Sequence, residues 1–182
     1  MRVIYFLSIL VFAQIQMFGQ NVWMVTKSMV HFTSDAPLEM IQAESSGLQG
    51  ALKTDDRSFV FRAPMNTFEG FNSALQKTHF NTNYLETAKF PFTIFEGKII
   101  EEIDFKTPGT HQVRGKGKFT CHGVEQERII KCKIEIQKDK IVVTSDFTVL
   151  LDDHNIKIPS VVNQKIAEEI QVKLEVVLTP KK

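Results

Sequence analysis

Five histidines (His31, His79, His111, His122 and His154) and two cysteines (Cys121 and Cys132) are the side chains here best suited to metal binding or nucleophilic chemistry. No two histidines stand at metal-ligand spacing, and none sits beside a cysteine in a zinc-like pattern. The adjacent acids Glu101-Glu102, Asp152-Asp153 and Glu168-Glu169 do not form a carboxylate pair, because neighbours on a strand point to opposite faces. There is no Gly-rich phosphate loop, no G-x-S-x-G elbow, and no nucleophile with a base at recognisable spacing. The net charge is +1, with lysines and arginines spread evenly, so no basic track marks a nucleic-acid partner. These residues predict a protein that is not an enzyme and holds no metal. If it were an enzyme, acting on a lipid or quinone, only Cys121 and Cys132 would be inward-facing candidates.

The chemistry that remains is apolar. Phenylalanine accounts for 15 of 182 residues, far more than tyrosine or tryptophan. Beyond residue 20 the dominant period is two, the strand period. Ile170, Val172, Leu174, Val176 and Leu178 alternate with Gln171, Lys173 and Glu175. The runs Val113–Cys121, Arg128–Gln137 and Ile141–Leu151 alternate in the same way. Further strands are expected over Met24–Thr33, Met40–Leu52, Ser58–Ala63 and Phe92–Ile103. Alternation puts Phe61, Phe95, Phe119, Ile134, Phe147, Val149, Leu174 and Val176 on the inward face. Asp55-Asp56, Pro108-Gly109, His122-Gly123 and Lys138-Asp139 mark hairpin loops. Short links of this kind require antiparallel pairing. Inward-facing Gly115 and Gly117 allow a tight bend or leave room inside.

One stretch leaves the strand period. Over Asn72–Tyr84, Phe71, Leu75 and His79 fall at helical spacing, and Asn72 or Ser73 can cap the start. The expectation is a short helix whose neighbourhood (Phe68, Phe71, Leu75, Phe80 and Tyr84) either lids one end of the sheet and touches a ligand or plugs the core. A hairpin turning at 123–126 would pair residue 121 with 128 and set Cys132 opposite Gly117. The two thiols would then lie roughly 13 Å apart, beyond disulfide reach. A looser turn would bring them together.

At the N-terminus, Met1-Arg2 precedes the apolar run Val3–Phe12, which is too short to span a bilayer. It reads as a signal peptide over residues 1–20, cleaved after Gly19 or Gln20, with the mature domain over 21–182. No later segment is long and apolar enough for a transmembrane helix, so no stable membrane anchor is expected.

Three segments resemble the YceI-like family of lipid- and polyisoprenoid-binding proteins. The helix region ends in Tyr84-Leu85-Glu86-Thr87-Ala88-Lys89-Phe90-Pro91, similar to that family's Y-x-E-[ST]-x-K-[FY]-P. Gly117–Val124 resembles its G-x-L-T-x-H-G-V hairpin. Phe147-Thr148-Val149 and Asn155-Ile156-Lys157-Ile158-Pro159 resemble its closing strand and turn, with His154 where tyrosine is frequent. The likeness runs from about Trp23 to Leu178. It implies an all-β, eight-stranded antiparallel, lipocalin-like barrel with one short helix, located in the periplasm or secreted and using no cofactor. It also implies a long-chain isoprenoid or similar lipid along the interior. Phe61, Phe68, Phe71, Leu75, Phe80, Tyr84, Phe95, Phe119, Phe147 and Val149 are the expected ligand contacts. The alternative is a ligand-free barrel acting as a protein-interaction or stress-response module.

Overall fold

A computed structural model describes residues 21–181. The alternating runs become antiparallel strands: β1 (Val22–Ala36), β2 (Glu39–Ser45), β3 (Gln49–Lys53), β4 (Ser58–Pro64), β5 (Phe92–Ile99), β6 (Gly109–Cys121), β7 (Val124–Ile136), β8 (Ile141–Leu150) and β9 (Glu169–Pro180). Each pairs with its neighbour, and β9 returns to pair with β1, so the sheet closes. Closure removes most of the exposed sheet edge, leaving the outer side of β2 without a strand partner. β2 and β3 both pair with β1 in one continuous register, Val30 opposite Ser45 and Val22 opposite Lys53. They are therefore one strand interrupted at 46–48, and the barrel has eight staves, as expected.

The interruption in the expected Met40–Leu52 strand has a local cause. The Ser45 hydroxyl turns back to accept from the Gly47 amide at 3.1 Å and bonds the Thr67 hydroxyl at 2.6 Å. The freed strand edge at Glu44 exchanges two main-chain bonds with Glu69 instead. This anchors the segment after β4 to the barrel. The expected Phe92–Ile103 strand ends earlier, at Ile99. Beyond it the chain is held by Glu101, whose carboxylate accepts from the amide and guanidinium of Arg114.

The β6–β7 register differs from expectation. Cys121 pairs with Val124 and Gly117 with Arg128, so the turn is only His122-Gly123. Both turn residues have positive φ, 49° and 73°, the tight geometry whose twist suits a hairpin. A Cβ on Gly123 would also sit 2.4 Å from the Phe90 ring. Cys132 consequently faces Val113 rather than Gly117. The eight residues from Val113 to Cys121 separate the thiols by roughly 26 Å at the usual strand rise, and both are free.

The barrel's two ends differ. At one, short connections bring Leu52, Ile134, Ile141, Val176 and Leu178 into a core with almost no exposure. At the other lie the long connections, residues 65–91 and 151–168. The first carries α1 (Ala74–His79), capped by the Ser73 hydroxyl accepting from the Gln76 amide and continued by one wider turn over Phe80–Tyr84. Ser73 is thus the cap rather than Asn72. No residue of α1 is fully buried. No helix among the described residues is long and apolar enough to cross a membrane. The expected signal peptide, residues 1–20, lies outside the described residues.

Candidate ligand cavity

The inward faces of the strands enclose a cavity of about 540 Å³ that opens toward the end carrying the long connections. Its deep half is a chain of rings. Phe59 and Phe95 lie 5.0 Å apart between centroids, and Phe95–Phe119 and Phe119–Phe147 each 6.2 Å. Inward-facing Gly115 gives room to the Phe59 ring, which a Cβ would meet at 3.1 Å. Gly117 permits close main-chain approach to Gly97 across the β5–β6 pair, where a Cβ would fall 2.0 Å from the Glu96 carbonyl. Of the two inner-face glycines, one therefore makes room for a ring and the other for a close main-chain approach.

Near the mouth a second aromatic cluster forms. Phe80 stacks on Phe32 at 5.4 Å, with Phe71 and Phe68 within 5.1 and 5.9 Å of Phe80. All ten residues expected at the site line the cavity: Phe61, Phe95, Phe119, Phe147 and Val149 from the strands, and Phe68, Phe71, Leu75, Phe80 and Tyr84 from the helix region. The helix group divides in two. Phe68 is 3% exposed and belongs to the core, whereas Leu75 is 62% exposed and stands on the rim. Phe68 thus plugs, and Leu75 borders an opening.

Sequence reasoning missed Phe32, which holds the mouth cluster together, and the second cover formed by Val162, Lys165 and Ile166 of the 151–168 connection. The apolar residues of that connection (Ile158, Val161, Val162 and Ile166) in an otherwise polar stretch were a readable signal. This connection is braced by bonds from the Leu38 amide to the Gln164 carbonyl and from the Ala167 amide to the Ser34 hydroxyl, each 2.9 Å. At the rim, Gln76 donates to the Glu39 carboxylate at 2.5 Å, and Lys77 pairs with Glu69.

The three motif segments meet at one point. His122 of the hairpin faces the Glu86 carboxylate through Nε2 at 2.7 Å and the His154 carbonyl through Nδ1 at 3.0 Å, with Phe90 edge-on at 4.7 Å. His154 has no exposed surface; its Nδ1 donates to the Val124 carbonyl at 3.2 Å, and its Nε2 has no partner. Burial holds its pKa below the ordinary histidine value. These motif residues clamp the long connections onto the barrel.

The arrangement is ill suited to nucleophilic chemistry. Burial raises the pKa of the Cys121 thiol, and burial, helped by the Glu101 carboxylate, pushes that of Cys132 up to about 11. A thiol needs its thiolate to attack. Among the described residues, no three His, Cys, Asp or Glu side chains are grouped to hold a metal.

The sequence profile of the YceI-like domain matches residues 23–178, nearly the whole described chain. The chain belongs to the YceI-like domain family. Solved structures agree on the fold at low identity. A polyisoprenoid-binding domain from Saccharophagus degradans superposes with a TM-score of 0.75 at 13% identity, over 89% of this chain and 99% of that one. BcnA of Burkholderia cenocepacia gives 0.63 at 11% identity, over 82% and 95%. The YceI protein of Campylobacter jejuni gives 0.56 at 13%, over 100% and 94%. No curated protein matches the chain.

Proposed function

We propose that this YceI-like barrel is an exported, non-catalytic protein that holds one long apolar lipid of polyisoprenoid or isoprenoid-quinone type, for storage, transport or stress protection. One observation carries the reading: an apolar, ring-lined cavity of about 540 Å³, open at one end of a barrel whose other end is a packed core. An eight-stranded barrel is wide enough for one slender ligand. Each CH₂ taken out of water contributes ~0.8 kcal/mol, so a long chain is retained without a charged anchor. The description of the S. degradans domain as polyisoprenoid-binding supports the ligand class. The charged-then-apolar N-terminus supports export to the periplasm or beyond.

The test is equilibrium uptake of anthraniloyl-labelled geranylgeraniol from phosphatidylcholine vesicles by the protein and by Val149→Trp, which fills the cavity from its wall. Binding by the unsubstituted protein, weakened about tenfold or more in the variant (a change of about 1.4 kcal/mol), is the expected result. Equal binding by both, or none by either, contradicts the reading; the latter favours a ligand-free interaction module.

A further inference from the structure

The wall beside the cavity is not uniformly closed. Main-chain pairing between β7 and β8 runs only from Ile136–Ile141 to Cys132–Ser145 and then stops. Toward the mouth, β7 continues to Val124 and β8 to Leu150, each paired on its far side with β6 or β9. Across the gap, among the described residues, side chains stand where a ladder would run. The Ser145 hydroxyl donates to the Lys131 carbonyl at 2.7 Å, Arg128 Nη2 to the Thr148 carbonyl at 2.7 Å, and Gln126 Nε2 to the Asp153 carbonyl at 2.9 Å.

This seam lies level with the cavity. Phe147 and Val149 on β8 and Ile130 on β7 line the cavity at that height. Cys132, Ser145 and Leu174 border both the cavity and a groove of about 470 Å³ on the barrel's outer face. At the point where pairing ends, the wall is therefore one side chain thick. Arg128 takes an inward-facing position by strand alternation, yet it has no carboxylate partner among the described residues. Its guanidinium lies 5.9 Å from the Phe119 ring centroid. Outside, the two lips carry Ile129 and Leu150, which are 55% and 45% exposed.

We propose that an apolar chain enters and leaves the barrel sideways, through the β7–β8 seam, with Arg128 as the movable bar. The proposal rests on the container reading above and adds the route. Widening the mouth beyond its rim opening means breaking main-chain bonds between Glu44 and Glu69, the braces from Leu38 and Ser34, and a four-ring cluster. Opening the seam below the clamp of His122, His154 and Val124 breaks three side-chain bonds, from Ser145, Arg128 and Gln126, which water can replace at the surface. It also exposes the chain first to the apolar lips and then to the Phe119–Phe147 rings.

The experiment compares two locks made with a reducible thiol cross-linker in a Cys132→Ser background. Continuing the Cys132–Ser145 register sets residue 129 opposite 148, so Ile129→Cys with Thr148→Cys fastens the seam. Asn72 donates to the Met40 carbonyl at 2.9 Å, so Met40→Cys with Asn72→Cys fastens the helix region to β2. Uptake of anthraniloyl-labelled geranylgeraniol from phosphatidylcholine vesicles is followed in time. The seam lock should slow it about tenfold or more and reduction should restore it, while the helix lock leaves it unchanged. Arg128→Met, which keeps the stem and removes the bar, should speed uptake and release together without altering equilibrium affinity. An unchanged rate in the seam-locked protein, or equal slowing by both locks, overturns the portal while leaving the container intact. Absence of equilibrium binding in the unlocked protein overturns both.

Discussion

His154 shows how a single residue can fix both a fold and its pH response. Its ring is fully buried, with one nitrogen satisfied by Val124 and the other facing no partner. Burial disfavours the charged ring more than the nearby Val124 and Cys121 main chain favours it, so the folded-state pKa lies below the unfolded value. The unfolded chain then binds more protons, and stability falls as pH drops through the ordinary histidine range near about 6.5 toward the folded value. The slope this residue contributes is at most about 1.4 kcal/mol per pH unit. His154→Asn keeps a donor near Val124 and removes the titration. Urea unfolding from pH 7 to 5 should therefore show a shallower acid loss in the variant, and identical slopes would assign the pH response elsewhere. The sequence displayed His122 as a turn and motif residue and His154 as a motif departure, without showing what either ring contacts. Their work depends on contacts with Glu86 and Val124, 36 and 30 residues away, which no local spacing encodes.

Among the elements, the strands were readable because alternation is a local signal with a physical cause: one face packs and the other is wet. The inward assignments of Phe61, Phe95, Phe119 and Phe147 follow from it directly. Register was less readable. His122-Gly123 was visible as a turn signal, but that two residues suffice depends on both adopting positive φ, and this moved Cys132 by four positions relative to expectation. The helix was legible from the change of period, whereas the division of labour within it was not. Phe68 and Leu75 look equally apolar in sequence, yet one is core and the other rim. Leu75→Ala should thus change stability by no more than about 0.5 kcal/mol, as at other exposed sites. Leu178→Ala, at the sealed end with no exposed surface, should cost about 2–5 kcal/mol. Denaturant midpoints of the delipidated variants distinguish these directly. A large loss for Leu75→Ala would mean that the helix plugs the barrel and does not border an opening.

At the scale of the whole molecule, the barrel is an asymmetric vessel with a packed base, a cavity above it and two long connections across the top. Closure through β1 and β9 completes the ring of strands, and two gaps in pairing adjoin the cavity among the described strands: the outer edge of β2, bridged only at Glu44–Glu69, and the interrupted ladder between β7 and β8. The family resemblance anticipated the barrel. The seam was not legible, since both strands alternate normally through it and only their neighbours in space reveal that pairing stops. The central claim is that the cavity holds a lipid, and the most direct measurement is native mass spectrometry of protein purified from its natural source without organic solvent or detergent. The predicted spectrum shows a folded chain carrying one extra apolar mass, which organic extraction releases and identifies as an isoprenoid. A spectrum of the bare chain alone, with nothing recovered by extraction, would contradict the account.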